Sequence, residues 1–298
     1  MLETGRIYKG IGGFYYVKTE RGILECRARG RFRREGITPM IGDMVNVEQH
    51  DDGLSYVVEI LPRSSSFDRP PVANLDTLVI VASAAPPVTP LLLVDRMTVV
   101  ARRKEVTPVV VFNKNDVVRA EESAEIYRKS GIETHLLSAE TGEGVEELLK
   151  ALSGRFCAFA GVSGVGKSSL INRILPSARA ETGSINERIG RGRHTTRHVE
   201  LFDLEGAIVA DTPGFSSFDD GEEVRIPPEE LENCFDEFEP FLGKCRFHGC
   251  SHGTDRGCAV REAVEEGEIP RSRYESYLKI YAEAKEYDPY KDKDRARR

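Results

Sequence analysis

Gly161-Val162-Ser163-Gly164-Val165-Gly166-Lys167-Ser168 reads G-x-x-x-x-G-K-S, and the rest of the chain is organised around it. The apolar run Phe156-Cys157-Ala158-Phe159-Ala160 precedes it, and the amphipathic run Ser169-Leu170-Ile171-Asn172-Arg173-Ile174-Leu175 follows. Strand, loop and helix in that order are the setting a phosphate-binding P-loop requires. The glycines let backbone N–H groups turn inward around a polyphosphate, and the helix N-terminus adds the positive end of its dipole. Lys167 is expected on the β- and γ-phosphates, the Ser168 hydroxyl on Mg2+, and the backbone from Gly161 to Ser169 around the nucleotide. A nucleoside triphosphate is the implied ligand.

Working upstream, the pattern after Pro70-Pro71 is β/α, and residues 67–217 read as one α/β domain. Leu75–Ala82 is a continuous apolar run of the kind buried in a parallel sheet. Leu91–Glu105 reads as a helix and Pro108–Phe112 as the next strand, which delivers Asn113-Lys114-Asn115-Asp116, an N-K-x-D motif. A carboxylate at Asp116 accepts both N1–H and the exocyclic 2-amino group of guanine. Adenine offers neither donor and would leave the charge unpaired. Lys114 is expected to lay its stem on the purine face, with Asn113 tying the loop to its neighbours. A helix near Glu121–Ser130 and a strand, Glu133–Leu137, then lead to Ser138-Ala139, where a backbone N–H should meet guanine O6.

Downstream of the P-loop helix, Pro176–Arg197 has no helical or strand period, and loops of this length are usually functional or disordered. Within it, Gly190-Arg191-Gly192-Arg193-His194-Thr195-Thr196-Arg197 is where switch I is expected. A threonine hydroxyl there, Thr196 in preference to Thr195, should complete the Mg2+ shell. The strand Ala207–Ala210 ends in Asp211-Thr212-Pro213-Gly214. Asp211 would hold Mg2+ through water, and the Gly214 N–H would sense the γ-phosphate. Position 215 is Phe, not a glutamine able to orient water. His194 is therefore the candidate catalytic residue, with Arg191, Arg193 and Arg197 as candidate charge stabilisers.

The motifs come in the order base, base, phosphate, switch I, switch II, a rotation of the usual GTPase order with the cyclic order kept. A parallel sheet tolerates such a circular permutation because its termini lie at the surface. Switch II then feeds directly into whatever follows, so nucleotide state could act on the C-terminal domain through a short covalent link.

Residues 1–66 carry about five short alternating segments with glycine turns, which suggests an all-β barrel, the OB-fold first among candidates. The net charge is −7, yet residues 1–40 hold nine Lys and Arg against four acids. Arg27, Arg29, Arg31, Arg33 and Arg34 crowd one strip, which fits RNA phosphates, and Phe32, Tyr15 or Tyr16 could stack on bases.

Residues 218–298 contain Cys245, Cys250, His252 and Cys258, spaced C-x4-C-x-H-x5-C. Three thiolates and an imidazole form the closed tetrahedral set of one structural Zn2+. His248 is a competing imidazole, but His252 better fits the turn between the second and third thiolates. Helices are expected at Leu231–Phe241, Cys258–Glu266 and Tyr274–Tyr287, and the basic tail Lys291–Arg298 has no core to join. In a reducing compartment such a cysteine cluster reads as metal rather than disulfide. No apolar stretch is long enough to cross a bilayer, and Met1–Gly5 lacks a signal-peptide pattern, so a cytoplasmic enzyme is expected.

Permuted G motifs between a β-barrel and this knuckle, with G-R-G-R-H-T-T-R-H at 190–198 and D-T-P-G-F at 211–215, resemble the bacterial small-subunit-dependent GTPases of the RsgA/YjeQ family. The resemblance covers essentially the whole chain. It implies an OB-fold, a permuted G domain and a zinc domain that together bind the 30S ribosomal subunit and its rRNA late in maturation. It also implies GTP hydrolysis to GDP, stimulated by 30S particles and timing release. We expect a monomer without membrane contact. A nucleotide-gated module acting on other RNA is the rival reading. A P-loop enzyme phosphorylating a small molecule is disfavoured, because N-K-x-D and D-T-P-G would have no purpose there.

Overall fold

Alternating side chains and glycine turns at the N-terminus close into a barrel. This computed structural model describes residues 2–50, 55–175, 199–204, 206–211 and 226–286. The barrel strands are β1 (Leu2–Ile11), β2 (Phe14–Thr19), β3 (Gly22–Ala28), β4 (Met44–Gln49) and β5 (Ser55–Ile60). β1 pairs with β2, β2 with β3, β3 in parallel with β5, β5 with β4, and β4 back with β1. That closed five-strand circuit is of the OB kind. Ile7, Val17, Cys26, Val45, Val47 and Val57 fill it and are fully buried. A short helix, α1 (Gly30–Arg34), joins β3 to β4, with Arg31 and Arg34 of the arginine strip exposed on it.

A small hairpin follows, β6 (Ser66–Asp68) with β7 (Pro71–Ala73), across the stretch where Pro70-Pro71 reads only as a break. The central sheet is built from β8 (Thr77–Ser83), β9 (Thr107–Asn113), β10 (Glu133–Leu136), β11 (Phe156–Ala160), β12 (Glu200–Leu204) and β13 (Ala207–Asp211). Its spatial order is β10-β9-β8-β11-β13-β12, all parallel except β12. Helices α2 (Leu91–Arg103), α3 (Glu121–Lys129), α4 (Val145–Leu152) and α5 (Lys167–Ile174) connect and cover it. Every residue of β8 and β11 is buried, which is why both read as unbroken apolar runs. The chain winds outward from β8 to β10, then returns to β11 on the other side of β8. Winding reverses there, and the crevice outside the carboxyl ends of such strands is where α/β sheets bind ligands.

Barrel and sheet share a seam. Lys9 of β1 pairs with Glu200 of β12 in the ladder, and its Nζ lies 2.8 Å from Oε1 of Glu200. Tyr8 Oη donates to Asp203 at 2.8 Å, and Lys18 pairs with the same carboxylate. The Arg6 guanidinium sits 4.6 Å over the ring of Phe156, at the start of β11.

The C-terminal part comprises α6 (Pro228–Leu231), two 3-10 turns (Glu232–Cys234 and Asp236–Phe241), α7 (Ala259–Glu265) and α8 (Arg271–Glu286). One continuous helix over Leu231–Phe241 does not form. Phe235 is extended (φ −114°, ψ 96°), and Pro240, which has no N–H, lies in the final turn. Phe235 stacks on Phe238, and Tyr277 packs edge-on to Phe235. This unit docks on α2. Arg273 of α8, with 0% exposure, donates from Nη1 to Asp95 Oδ1 at 2.7 Å and to Thr98 Oγ1 at 3.0 Å. Its Nε donates to Glu237 Oε1 at 2.7 Å, and Tyr127 of α3 donates to Asp95 at 2.9 Å. Arg96–Glu283, Arg102–Asp236 and Arg103–Glu230 pairs ring the contact.

Candidate functional site

The P-loop leaves the end of β11 at Gly161 and enters α5 at Lys167, as the flanking apolar runs require. Beside it, β9 ends in Asn113, which is 2% exposed and joins three loops. Its Nδ2 donates to the carbonyl of Val165 in the P-loop at 2.9 Å, and its Oδ1 accepts from the Ala139 N–H at 2.8 Å. Gly166 must be glycine here: its φ is +90°, and a Cβ would lie 2.3 Å from Asn113 Nδ2. Asn115 is 3% exposed and accepts from the Ala120 N–H at 3.1 Å, tying the motif to the start of α3. Lys114, at φ 62°, turns its Nζ to the carbonyl of Pro86 at 2.9 Å. Asp116 is exposed at the mouth.

Ser163, Gly164, Ser168 and Ser169 are exposed, while Val165 is fully buried as the loop's anchor and Val162 is half-buried. Burial pulls the Lys167 ammonium below its usual range, and the neighbouring Asp211 carboxylate at the end of β13 works against that. An amine desolvated in this way gains most from a polyanion brought to it. The structure thus gathers Asn113–Asp116, Ser138-Ala139, Gly161–Ser168 and Asp211 at the carboxyl ends of β9, β10, β11 and β13. Ser138 and Ala139 differ from expectation in one respect. Both N–H groups already have partners, Glu143 O at 2.9 Å and Asn113 Oδ1 at 2.8 Å. His194, Thr195, Thr196, Arg191, Arg193 and Arg197, together with Thr212, Pro213, Gly214 and Phe215, lie outside the described residues, as does the tail Lys291–Arg298.

In the C-terminal unit, one donor atom each from Cys245, Cys250, His252 and Cys258 lies within 4.8 Å of all the others. A tetrahedral Zn2+ with three thiolates has sulfur–sulfur edges of about 3.8 Å, so the set fits a metal of that kind with little adjustment. His252 Nδ1 is 3.7 Å from Cys245 Sγ and 3.5 Å from Cys258 Sγ. Its Nε2 lies 2.7 Å from Glu232 Oε2, and its carbonyl accepts from the Tyr274 hydroxyl at 2.6 Å. His248, by contrast, is exposed. Burial pushes the Cys250 thiol up to about 12, so that sulfur ionises only beside a cation.

Arg27, Arg29, Arg31 and Arg34 of the strip are exposed, and three of them are engaged. Arg27 lies 4.6 Å over the Phe14 ring, Arg29 pairs with Glu48, and Arg31 bonds the carbonyl of Val58. Arg34 is exposed, and the Arg33 side chain lies outside the described residues. Phe32 is 4% exposed in the barrel core, which removes it as a stacking platform, and Tyr16 bonds Glu25. Pro86 and Glu232 belong to no motif in the sequence. A proline pair just past an apolar strand was a signal for the first; a separation of 20 positions between Glu232 and His252 hid the second.

A family model described as RsgA GTPase matches residues 60–220, and one described as RsgA N-terminal domain matches residues 4–57. The chain belongs to the RsgA family of GTPases. An RsgA relative from Caldanaerobacter subterraneus subsp. tengcongensis, named small ribosomal subunit biogenesis GTPase RsgA, is 50% identical over 286 residues, 95% of this chain and 96% of the relative. One of the same name from Geobacillus kaustophilus is 43% identical over 294 residues, 97% and 99% of the two chains. The crystal structure of YjeQ from Thermotoga maritima superposes with a TM-score of 0.82 at 33% identity, covering 97% of this chain and all of the other. The structure of YloQ, described as a circularly permuted GTPase, gives 0.82 at 35% identity over 97% of each chain. As an RsgA GTPase, the chain is a GTP hydrolase whose central domain is circularly permuted.

Proposed function

We propose that this RsgA-family GTPase binds the small (30S) ribosomal subunit late in its maturation and uses ribosome-stimulated GTP hydrolysis to time its own release. The observation that carries the reading is Asn113, whose side chain makes N-K-N-D, Ser138-Ala139 and the P-loop one site although the chain visits them in rotated order. Whole-length relatives named for small-subunit biogenesis supply the partner.

In this reading Asp116 pairs guanine N1–H and the 2-amino group, Lys114 lies on the base, and Lys167 neutralises the β- and γ-phosphates. Ser168, Thr196 and Asp211 hold the Mg2+ that accompanies GTP, which stabilises negative charge on the transferring phosphoryl group. Gly214 senses the γ-phosphate, and His194 orients the attacking water. Cys245, Cys250, His252 and Cys258 hold one structural Zn2+. Arg27, Arg29, Arg31, Arg33 and Arg34 meet rRNA phosphates, and Glu48 releases Arg29 to a stronger polyanion. The units are 1–66, 67–217 and 218–298, in a cytoplasmic monomer. Among the described residues, no helix is long and apolar enough to cross a membrane.

The test is GTP turnover alone and with purified 30S subunits, 50S subunits or free RNA. Strong stimulation by 30S alone supports the reading. Equal stimulation by any RNA would instead indicate a nucleotide-gated module for other RNA. His194→Ala with unchanged 30S-stimulated turnover would remove that residue from the mechanism.

A further inference from the structure

We propose that Arg173 is a positioning residue for guanine specificity: it holds the Ser138–Glu140 loop so that the Glu140 N–H, and not that of Ala139, meets guanine O6. The proposal rests on the guanine-pocket reading above and goes one contact deeper. Arg173 sits on α5, six residues past Lys167, and its guanidinium reaches away from the phosphates to the base-side loop. Its Nε donates to the carbonyl of Ala139 at 2.6 Å, and its Nη2 donates to the carbonyl of Glu140. Gly142 completes the wrap: its φ is +93°, and a Cβ there would lie 3.0 Å from Arg173 Nη1. Any side chain at 142 would both strain the backbone and press on the guanidinium.

Two successive carbonyls turned toward one guanidinium fix two successive peptide planes. In a trans peptide the C=O and the N–H of the same unit point in opposite directions. With the Ala139 carbonyl on Arg173, the Glu140 N–H faces away from α5. The neighbouring donors are already engaged: Ser138 N–H on Glu143 O, Ala139 N–H on Asn113 Oδ1, and Thr141 N–H on Ser138 Oγ at 3.1 Å. Glu140 is exposed, and no group among the described residues accepts its N–H. A carbonyl that accepts from a cation also polarises its own peptide, which strengthens that N–H as a donor. Arg173 therefore both aims the O6 donor and strengthens it.

Competition binding with GDP, 6-thio-GDP and inosine diphosphate separates this from a merely structural tie. The 6-thio analogue weakens the acceptor at position 6, and inosine diphosphate lacks only the 2-amino group that Asp116 reads. Arg173→Met is expected to lose about tenfold in GDP affinity, the worth of one well-aimed hydrogen bond. Its affinity for 6-thio-GDP should change about twofold or less, so the preference for GDP over 6-thio-GDP collapses while the GDP-to-inosine ratio holds. Arg173→Lys should recover part of the preference. Equal loss for all three nucleotides would overturn the proposal. The unaltered chain gives a second readout free of folding effects: the Glu140 amide proton should shift with GDP and shift less with 6-thio-GDP. A response at Ala139 with Glu140 silent would overturn it as well. Failure of the unaltered chain to prefer GDP over ADP would sink the guanine pocket itself, a result distinct from either.

Discussion

Replacing Arg273 with methionine should detach the C-terminal unit from α2. The guanidinium is fully buried between Asp95, at 1% exposure, and Glu237, at 8%. It supplies bonds of 2.7 Å to Asp95, 2.7 and 3.3 Å to Glu237, and 3.0 Å to Thr98. Among the described residues, Asp95 Oδ2 has no hydrogen-bond partner, so that carboxylate depends on the neighbouring cation for compensation. Methionine preserves the stem and its packing but leaves two desolvated anions facing one another. Breaking a buried pair this way costs about 3–5 kcal/mol. Read as amide hydrogen exchange along α8, the loss corresponds to roughly two to three and a half orders of magnitude in protection. Adding Asp95→Asn and Glu237→Gln to Arg273→Met removes the stranded charges and should recover most of that loss. Should Arg273→Met cost less than about 1 kcal/mol, or the triple variant protect α8 no better than the single one, the guanidinium does not hold the contact.

Three further outcomes are expected. Asp116→Asn should move preference from guanine toward xanthine nucleotides, measured by competition binding, and retained GTP affinity would refute the base pocket. If Cys245, Cys250, His252 and Cys258 hold zinc as proposed, Glu232→Gln should weaken metal retention by about ten- to a hundredfold in chelator competition, because the carboxylate 2.7 Å from His252 Nε2 would orient that ring. At acid pH, Glu133 matters: burial alone would raise its carboxyl, yet bonds from His135 and Arg155 hold it below the usual range. A carboxylate lowered in the folded state adds stability that is present above its unfolded value and is lost as pH falls through the folded one. Glu133→Gln should therefore flatten the acid limb of a melting-temperature profile while changing little at neutral pH.

The parts of the molecule legible in sequence were those in which chemistry demands fixed spacing. The expected placement holds: Gly161–Ser168 runs from β11 into α5, Asn113 ends β9, and the four Cys and His donor atoms converge within 4.8 Å. What stayed hidden depends on partners far away along the chain. Arg273 reads as one more cation on a polar helix, because nothing nearby reveals that Asp95 and Glu237 converge on it. The strip at Arg27–Arg34 reads as free charge, because Glu48 and the Val58 carbonyl come from other strands. Phe32 looks available for stacking until α1 turns it into the barrel. β12 is short and interrupted by Asp203, and only its ladders with β13 and β1 make it a strand.

The seam between β1 and β12 has a mechanical consequence. The stretch expected to hold Thr195 and Thr196 runs into Val199, and the next residue, Glu200, is the one laced to Lys9 of the barrel. If the barrel is the surface that the proposed ribosomal partner holds, a pull on it would reach the strand beside Asp211 through one backbone rung and two acidic anchors. Under that reading, sensing and hydrolysis would need no separate messenger, because barrel and sheet are already stitched along β1 and β12.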